Sequence, residues 1–200
     1  FFKSINYCAH MFTKKNKYFL LIENIRDIDL KNIKIRNKFS IVYRNHNKIH
    51  NLDELLKFRK KCKLKAIKFY VANNYKLAIS LNSDGIYLSS FNKNLKSLNF
   101  KRFNFEIIGS AHNYKEIELK FKQGCSNILL SKLFLVDYDK KAAYLGVLKF
   151  NNHAKNFNKL VPLGGINGEN LNNLRNVFCD GFALFSEIKK KPAKIISRLF

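Results

Sequence analysis

Two adjacent glycines, Gly164 and Gly165, lie in the segment VPLGGING (161–168), although the chain has only 8 glycines in 200 residues. The segment ends an apolar run and precedes ENLNNLRNVF, whose apolar spacing predicts a helix. Glycine lets the backbone approach a ligand closely and adopt a positive φ, and the N–H groups at the start of a helix attract anions. The pattern predicts a bound phosphate, although a plain strand-to-helix turn would also account for the glycines.

The other residue types that could do chemistry form no metal-binding or nucleophile pattern. The cysteines stand apart, without a CxxC pair, and are expected to be reduced thiols in the core: Cys8, Cys62, Cys125 and Cys179. All histidines except His112 lie in polar stretches typical of a surface: His10, His46, His50 and His153. GGINGEN differs from the GxGxxG dinucleotide pattern, and no serine lies in a nucleophile elbow.

The net charge of +24 raises the question of a nucleic-acid partner. Lysines are spread over nearly every segment. Lys, Asn, Ile and Phe are abundant together, with 2 prolines and no tryptophan, which is the bias that AT-rich codons produce. We therefore expect solvated lysine-rich faces and do not expect nucleic acid as the partner.

No apolar run reaches the roughly 18 residues of a transmembrane helix. Charges interrupt the apolar part of the N-terminal segment, which therefore does not resemble a signal peptide. These features predict a cytoplasmic protein without a membrane partner. Residues 1–17 are assigned to an N-terminal extension and residues 18–200 to a single domain.

Short apolar runs rich in β-branched and aromatic residues predict strands, which alternate with amphipathic stretches as in βα units. The predicted strands cover residues 18–23, 39–44, 66–72, 85–90, 105–111, 127–134, 160–165 and 181–187. Apolar residues at helical spacing mark 52–62, 114–123 and 168–178, with Asn51 or Asp53 as the N-cap of the first helix.

This number of strands in so short a chain predicts a compact single-domain (β/α)8 TIM barrel, with a doubly wound sheet as the alternative. The link at 24–38 is short for a helix and two loops, which leaves open whether the first unit is complete. Such a barrel places its chemistry where the strands end and commonly holds phosphate after strands seven and eight. GGING ends the predicted seventh strand, so the glycines are expected at that phosphate position.

Three segments resemble the thiamine-phosphate synthase/TenI family, which consists of small (β/α)8 barrels. NYKLAISLNSDGIYLSS (74–90) is similar to the family's stretch from an Asn-Asp-Arg strand end through DLA to ADGVHLGQ. IIGSAHNYKEI (107–117) resembles an IGxSxH strand end followed by a helix with Glu. VPLGGINGENLNNLRNVFCDGFALFSEI (161–188) resembles P(V/I)xAIGGIxxxN followed by GAxGVAVxSAI. By their order and spacing the chain is identified as a divergent member of this family.

The resemblance implies a thiazole phosphate as ligand and a role in thiamine biosynthesis. Gly164, Gly165 and Ile166 match the turn that holds the thiazole phosphate, and Phe185 and Ser186 match its partner on strand eight. Synthases of the family join thiazole phosphate to hydroxymethylpyrimidine diphosphate, and pyrophosphate leaves with the help of Mg²⁺.

The pyrimidine and pyrophosphate side of the site departs from the family pattern. The two aspartates that bind Mg²⁺ fall on Asn73 and Asn92, and neutral amides hold Mg²⁺ far less well than carboxylates. Arg44, Ser110 and Lys140 are further candidates on this side, together with Asn73 itself. Mg²⁺ is therefore expected only if synthase activity is retained, and no other cofactor is expected.

His112 matches the histidine of the family's SxH motif, which the TenI-type thiazole tautomerase uses for proton transfer. An imidazole titrates near neutrality and can move a proton between a ring carbon and a side chain, but it can also merely position a loop or substrate. Three functions stay open: a synthase, a metal-free tautomerase that uses His112, and a non-catalytic barrel that binds a phosphate ligand.

Overall fold

The computed structural model describes residues 17–45, 51–103, 105–139 and 141–190. Its strands are all parallel and pair in chain order, and the last pairs with the first, so the sheet closes into a barrel. The strands are β1 (Lys17–Ile22), β2 (Phe39–Tyr43), β3 (Lys68–Ala72), β4 (Gly85–Leu88), β5 (Glu106–Ala111), β6 (Asn127–Ser131), β7 (Leu160–Leu163) and β8 (Gly181–Leu184). The closed barrel confirms the predicted fold and excludes the doubly wound sheet.

Apolar residues cover both faces of the sheet, since each strand faces the barrel interior on one side and the outer layer on the other. In β1, Phe19 and Leu21 belong to the interior cluster, whereas Tyr18, Leu20 and Ile22 pack in the outer one. The interior cluster is completed by Val42, Tyr70, Tyr87, Ile108, Leu129, Val161, Leu163 and Ala183. This double burial explains why the strands are continuous apolar runs in the sequence.

The outer layer of the described chain contains the α-helices α1 (Leu52–Leu64), α2 (Tyr75–Ser80), α3 (Tyr114–Lys122), α4 (Gly146–Asn156) and α5 (Ser186–Lys190). Asn51, one of the two predicted caps, accepts a hydrogen bond from the backbone N–H of Glu54 at the start of α1. The sequence prediction lacks α2, α4 and α5, although Val147, Phe150 and Ala154 of α4 contact the core at helical spacing. None of the described helices is long and apolar enough to cross a membrane.

Short 3-10 helices stand in place of α-helices in three links between strands. They cover Ile25–Asp27 and Leu30–Asn32 after β1, Leu95–Phe103 after β4, and Leu171–Asn176 after β7. The first barrel unit is therefore shortened, in keeping with the brevity of its link.

The α-helix predicted over 168–178 is wrong, because only Leu171–Asn176 is helical there and its form is 3-10. The segment is rich in asparagine, whose side chain competes for backbone hydrogen bonds and disfavours helix interiors. Asn170 shows this competition, since its Oδ1 accepts from Asn167 N–H at 2.9 Å and its Nδ2 donates to Gly165 O at 2.6 Å.

Every predicted strand overlaps an observed one, but several extend too far at the carboxyl end. The strands predicted to reach residues 90, 134, 165 and 187 end at Leu88, Ser131, Leu163 and Leu184. The apolar runs continue past these ends because the loops that follow also pack inward. Those loops carry the candidate site.

The turn after β7 packs directly against the loop after β6. Leu133 N–H donates to Leu163 O at 2.9 Å, and Phe134 N–H donates to Gly164 O at 3.0 Å. Gly164 and Gly165 have positive φ angles of 91° and 70°. A Cβ on Gly165 would lie 2.5 Å from the carbonyl carbon and oxygen of Phe134. The close approach of the two backbones therefore requires glycine at position 165.

Gly165→Ala is expected to lower the free energy of unfolding by about 2 kcal/mol more than Gly146→Ala. The two glycines have nearly equal φ angles of 70° and 69°, but a Cβ on Gly146 would meet no atom within 4 Å. Both variants carry the penalty of a positive φ, about 1 kcal/mol, and only Gly165→Ala adds the overlap with Phe134. Urea denaturation followed by circular dichroism measures the difference. Equal losses would show that the loop after β6 yields freely to a methyl group.

Candidate functional site

A cavity of about 250 Å³ opens at the carboxyl ends of the strands. Its walls come from β1, β4, β5, β6, β7 and β8 and from loops that follow the strands. Most of the predicted site residues line it, namely Arg44, Ser110, His112, Gly164, Gly165, Ile166, Phe185 and Ser186. Asn73 and Asn92 do not line the cavity but donate hydrogen bonds to Ser89, which does. Lys140 lies outside the described residues.

Both glycine carbonyls of the turn after β7 are anchored to the protein. Gly164 O accepts from Phe134 N–H at 3.0 Å, and Gly165 O accepts from Asn170 Nδ2 at 2.6 Å. The C=O and N–H of a trans peptide point in opposite directions. The N–H groups of Gly165 and Ile166 therefore point away from these anchors, on residues that line the cavity. Successive backbone N–H groups of this kind form an anion-binding concavity.

A helix N-terminus directly after the glycines, as predicted, is not observed. The first 3-10 residue is Leu171, and Asn167 and Asn170 fill the interval with side-chain hydrogen bonds to the backbone. The candidate groups for an anion are therefore the N–H groups of the turn itself and the hydroxyl of Ser186, which also lines the cavity.

Among the described residues, two cationic side chains line the same cavity. Arg44 follows β2, and its Cζ lies 5.8 Å from the centre of the Phe185 ring. Lys132 follows β6, with its Nζ 5.6 Å from the centre of the Tyr138 ring and 3.8 Å from Asp139 Oδ2. Arg44 is among the predicted site residues and Lys132 is not. The feature of the sequence that could have indicated Lys132 is its position as a single charge inside the apolar run NILLSKLF.

The inner wall of the cavity is polar where β4 and β5 meet. Burial raises the pKa of the Tyr87 phenol, whereas a hydrogen bond with Ser110 and the positive charge of Arg44 oppose that increase. Arg44 and Ser110, both predicted for the pyrimidine side, are thus brought together around a tyrosine that the sequence does not single out.

His112 lies on the cavity wall after β5 and is held by the first turn of α3. Its backbone N–H and its ring Nδ1 both contact Glu116 Oε2, at 2.8 and 3.1 Å. Asn113 caps α3, because its Oδ1 accepts from Glu116 N–H at 3.0 Å while its Nδ2 donates to Glu116 Oε1 at 3.1 Å. With Nδ1 directed at a carboxylate, Nε2 is the ring nitrogen left to exchange a proton with a ligand. The side chain is 51% exposed and so remains accessible.

Asn73 and Asn92 bind each other and the backbone. Asn73 Oδ1 accepts from Ser89 N–H at 3.1 Å and from Asn92 Nδ2 at 3.0 Å, which uses both lone pairs. Asn92 Oδ1 accepts from Asn94 N–H at 3.1 Å. Main-chain donors therefore fix both amide orientations. This arrangement does not fit Mg²⁺, and the described part of the chain holds no cluster of three or more His, Cys, Asp or Glu suited to a metal.

A buried lysine contacts the backbone of Asn92. Lys120 of α3 is 0% exposed, and its Nζ donates to Ser89 O at 2.7 Å, Asn92 O at 2.8 Å and Gln123 Oε1 at 2.9 Å. Gln123 Nε2 donates in turn to Asn92 O and Asn94 O. Burial lowers the pKa of Lys120 to about 8, which still leaves it mainly protonated at neutral pH. The sequence prediction assigns no role to Lys120, although it is a charge on the apolar face of a helix.

The chain is similar to known proteins in both sequence and fold. The family described as thiamine monophosphate synthase matches residues 8–188. The thiamine-phosphate synthase of Prochlorococcus marinus (strain AS9601) is 30% identical over 143 residues, a match that spans 69% of this chain and 40% of that relative.

Solved structures share the barrel. Thiamine phosphate pyrophosphorylase from Pyrococcus furiosus superposes with a TM-score of 0.69 at 17% identity, covering 94% of this chain and 98% of that one. KGPDC from Streptococcus mutans gives a TM-score of 0.64 at 9% identity, covering 92% and 94%. At these identities the structures show the common fold alone. The sequence match over residues 8–188 shows the family, and the chain belongs to the thiamine monophosphate synthase family.

Proposed function

We propose that the cavity binds a thiazole phosphate and that the protein acts in thiamine biosynthesis. The observation that carries this proposal is the turn after β7, where anchored carbonyls leave the N–H groups of Gly165 and Ile166 directed away from their anchors. Phe185 and Ser186 line the same cavity. An apolar ring and a hydroxyl near two N–H donors suit an aromatic ligand that carries a phosphate.

The charge of the cavity supports a phosphorylated ligand. Arg44 and Lys132 provide positive charge without a metal, and hydrogen bonds from such cations to phosphate are among the strong ones. The 3.8 Å separation between Lys132 and Asp139 is a loose ion pair, so a phosphate oxygen can replace Asp139 as the partner of Lys132.

The first reaction we assign is the one after which the family is named, the formation of thiamine phosphate. In it, the bond between the pyrimidine methylene carbon and the diphosphate oxygen breaks, and the thiazole nitrogen forms a C–N bond to that carbon. Pyrophosphate leaves with the electron pair of the broken bond. Arg44 and Lys132 are the described cavity cations placed to stabilise its charge.

The contact between His112 and Glu116 favours a second reaction, proton transfer on the thiazole ring. Glu116 Oε2 lies 3.1 Å from Nδ1, so the carboxylate orients the imidazole. Nε2 can then take a proton from one position of a thiazole phosphate tautomer and return it at another. This reaction needs no metal, which agrees with the hydrogen-bonded pair formed by Asn73 and Asn92.

The distribution of charge supports the expectation that nucleic acid is not the partner. Exposed lysines lie on successive outer helices, as Lys57 on α1, Lys76 on α2, Lys115 on α3 and Lys149 on α4 show. A protein that binds nucleic acid typically concentrates such residues on one face.

The purified protein supplied with a thiazole phosphate tautomer separates the functions. A synthase forms thiamine phosphate when hydroxymethylpyrimidine diphosphate is added, which mass spectrometry detects. A tautomerase converts the tautomer without it, which proton NMR follows. In that case His112→Ala is expected to lower the rate about a hundredfold and Glu116→Gln about tenfold, because the first removes the proton carrier and the second only its orientation. Binding without either product would identify a non-catalytic barrel.

Lys132→Met is expected to weaken binding of thiazole phosphate at least about tenfold, since a charged hydrogen bond is lost. Lys149→Met is the matched control, because it removes the same charge from the exposed face of α4. Isothermal titration calorimetry measures both dissociation constants. A substitution at Gly165 is a poorer test, because it also disturbs the packing against Phe134. Equal dissociation constants for the Lys132 and Lys149 variants would place the phosphate away from the loop after β6.

A further inference from the structure

We infer that the corner of the site formed by Asn73 and Asn92 takes no divalent cation, and that the ammonium group of Lys120 supplies its positive charge instead. The family resemblance would place Mg²⁺ at these two residues. Their hydrogen bonds and the buried lysine beneath them lead to the opposite conclusion.

The oxygen atoms that Mg²⁺ would need are already engaged. Mg²⁺ requires oxygen ligands at about 2.0 to 2.1 Å in a near-octahedral arrangement. Asn73 Oδ1 accepts two hydrogen bonds, and one of the donors is the Asn92 amide nitrogen, 3.0 Å away. Asn92 Oδ1 accepts from Asn94 N–H at 3.1 Å. A cation at this point would have to break contacts to both amides and turn the Asn92 side chain against its backbone donor.

Lys120 makes the contacts expected of a charged ammonium group. Three oxygen atoms within 2.9 Å surround its Nζ, two of them main-chain carbonyls of Ser89 and Asn92. Three acceptors match the three N–H donors of an ammonium group, whereas a neutral amine has only two. A second cation at the side chain of Asn92 would lie close to this buried charge and be repelled by it.

The lysine also fixes one wall of the cavity. The carbonyls that it binds begin and end the segment 89–92, within which Ser90 and Phe91 line the cavity. Lys120 therefore acts as a positioning residue. The same helix bears Glu116 one turn earlier, where it holds His112. Helix α3 thus positions both the β4 loop and the imidazole.

Mn²⁺ is the probe that tests the inference, because it takes the same hard oxygen ligands as Mg²⁺ and its free ion has an electron paramagnetic resonance signal that falls on binding. The measurement uses the metal alone and does not depend on the proposed thiazole ligand. The unaltered protein is expected to leave the signal unchanged up to about 1 mM Mn²⁺. Uptake that Asn92→Ala abolishes would overturn the first part of the inference. Mn²⁺ uptake that is unchanged in Asn92→Ala would come from another part of the surface and would agree with the inference.

The role of Lys120 is tested in the double variant Asn73→Asp and Asn92→Asp, which supplies carboxylates of nearly the same size. Adding Lys120→Met to this variant is expected to tighten Mn²⁺ binding at least about tenfold, because the competing ammonium is gone. Lys122→Met is the control, since it removes an exposed charge from the same helix and should change nothing. Equal Mn²⁺ affinities with and without Lys120→Met would overturn the inference that Lys120 supplies the positive charge of this corner.

Circular dichroism spectra and melting curves establish that each variant is folded. If Lys120→Met does not fold, Lys120→Gln replaces it, because an amide can still donate hydrogen bonds to Ser89 O or Asn92 O without carrying a charge. The same tenfold criterion then applies.

Discussion

Burial of the strands on both faces is the constraint on which the rest of the molecule depends. One face of β1 contributes Phe19 and Leu21 to the barrel interior, and the other packs Leu20 in the outer layer. Because parallel strands close into a barrel, all their carboxyl ends reach one rim, and the space left for a ligand lies there. Polar side chains such as Arg44 and His112 must therefore lie on the loops at this rim, where water and ligand can reach them.

The same constraint decides what can be predicted from the sequence. Continuous apolar runs mark the strands, so the barrel and its order are predictable. The ends of the strands are harder to predict, because the loop that follows a strand can continue to pack inward, as Leu133 and Phe134 do after β6. Helices are harder to predict where asparagine side chains compete for backbone hydrogen bonds, as the side chain of Asn170 does after β7. Most of the residues matched by motif, including His112, line the cavity, whereas Asn73 and Asn92 do not. The role of Lys120 is not predictable, because two of its three partners are the carbonyl oxygens of Ser89 and Asn92, far away in the sequence.

The glycine turn shows how packing and binding can require the same residue. Gly165 is needed because the backbone at Phe134 leaves no room for a Cβ, which is a reason internal to the fold. The hydrogen bond from Asn170 to Gly165 O and the one from Phe134 N–H to Gly164 O then determine where the opposite edges of these peptides point. The donors offered to an anion are a consequence of these anchors. A glycine-rich motif alone therefore does not distinguish a binding turn from a structural one, whereas the direction of its carbonyls shows where its N–H groups point.

Positive charge in such a site can come from a bound metal ion or from a side chain of the protein. A mobile divalent ion can be supplied with a substrate and released with a product, but it requires carboxylates, which repel one another and an incoming phosphate when the ion is absent. A lysine inside the protein costs desolvation once, during folding, and three oxygen acceptors offset that cost for Lys120. Asn73 and Asn92 next to it are neutral, so they bring no negative charges together that a metal would have to balance. In the proposed function, Arg44 and Lys132 at the rim provide the positive charge that meets a phosphate ligand.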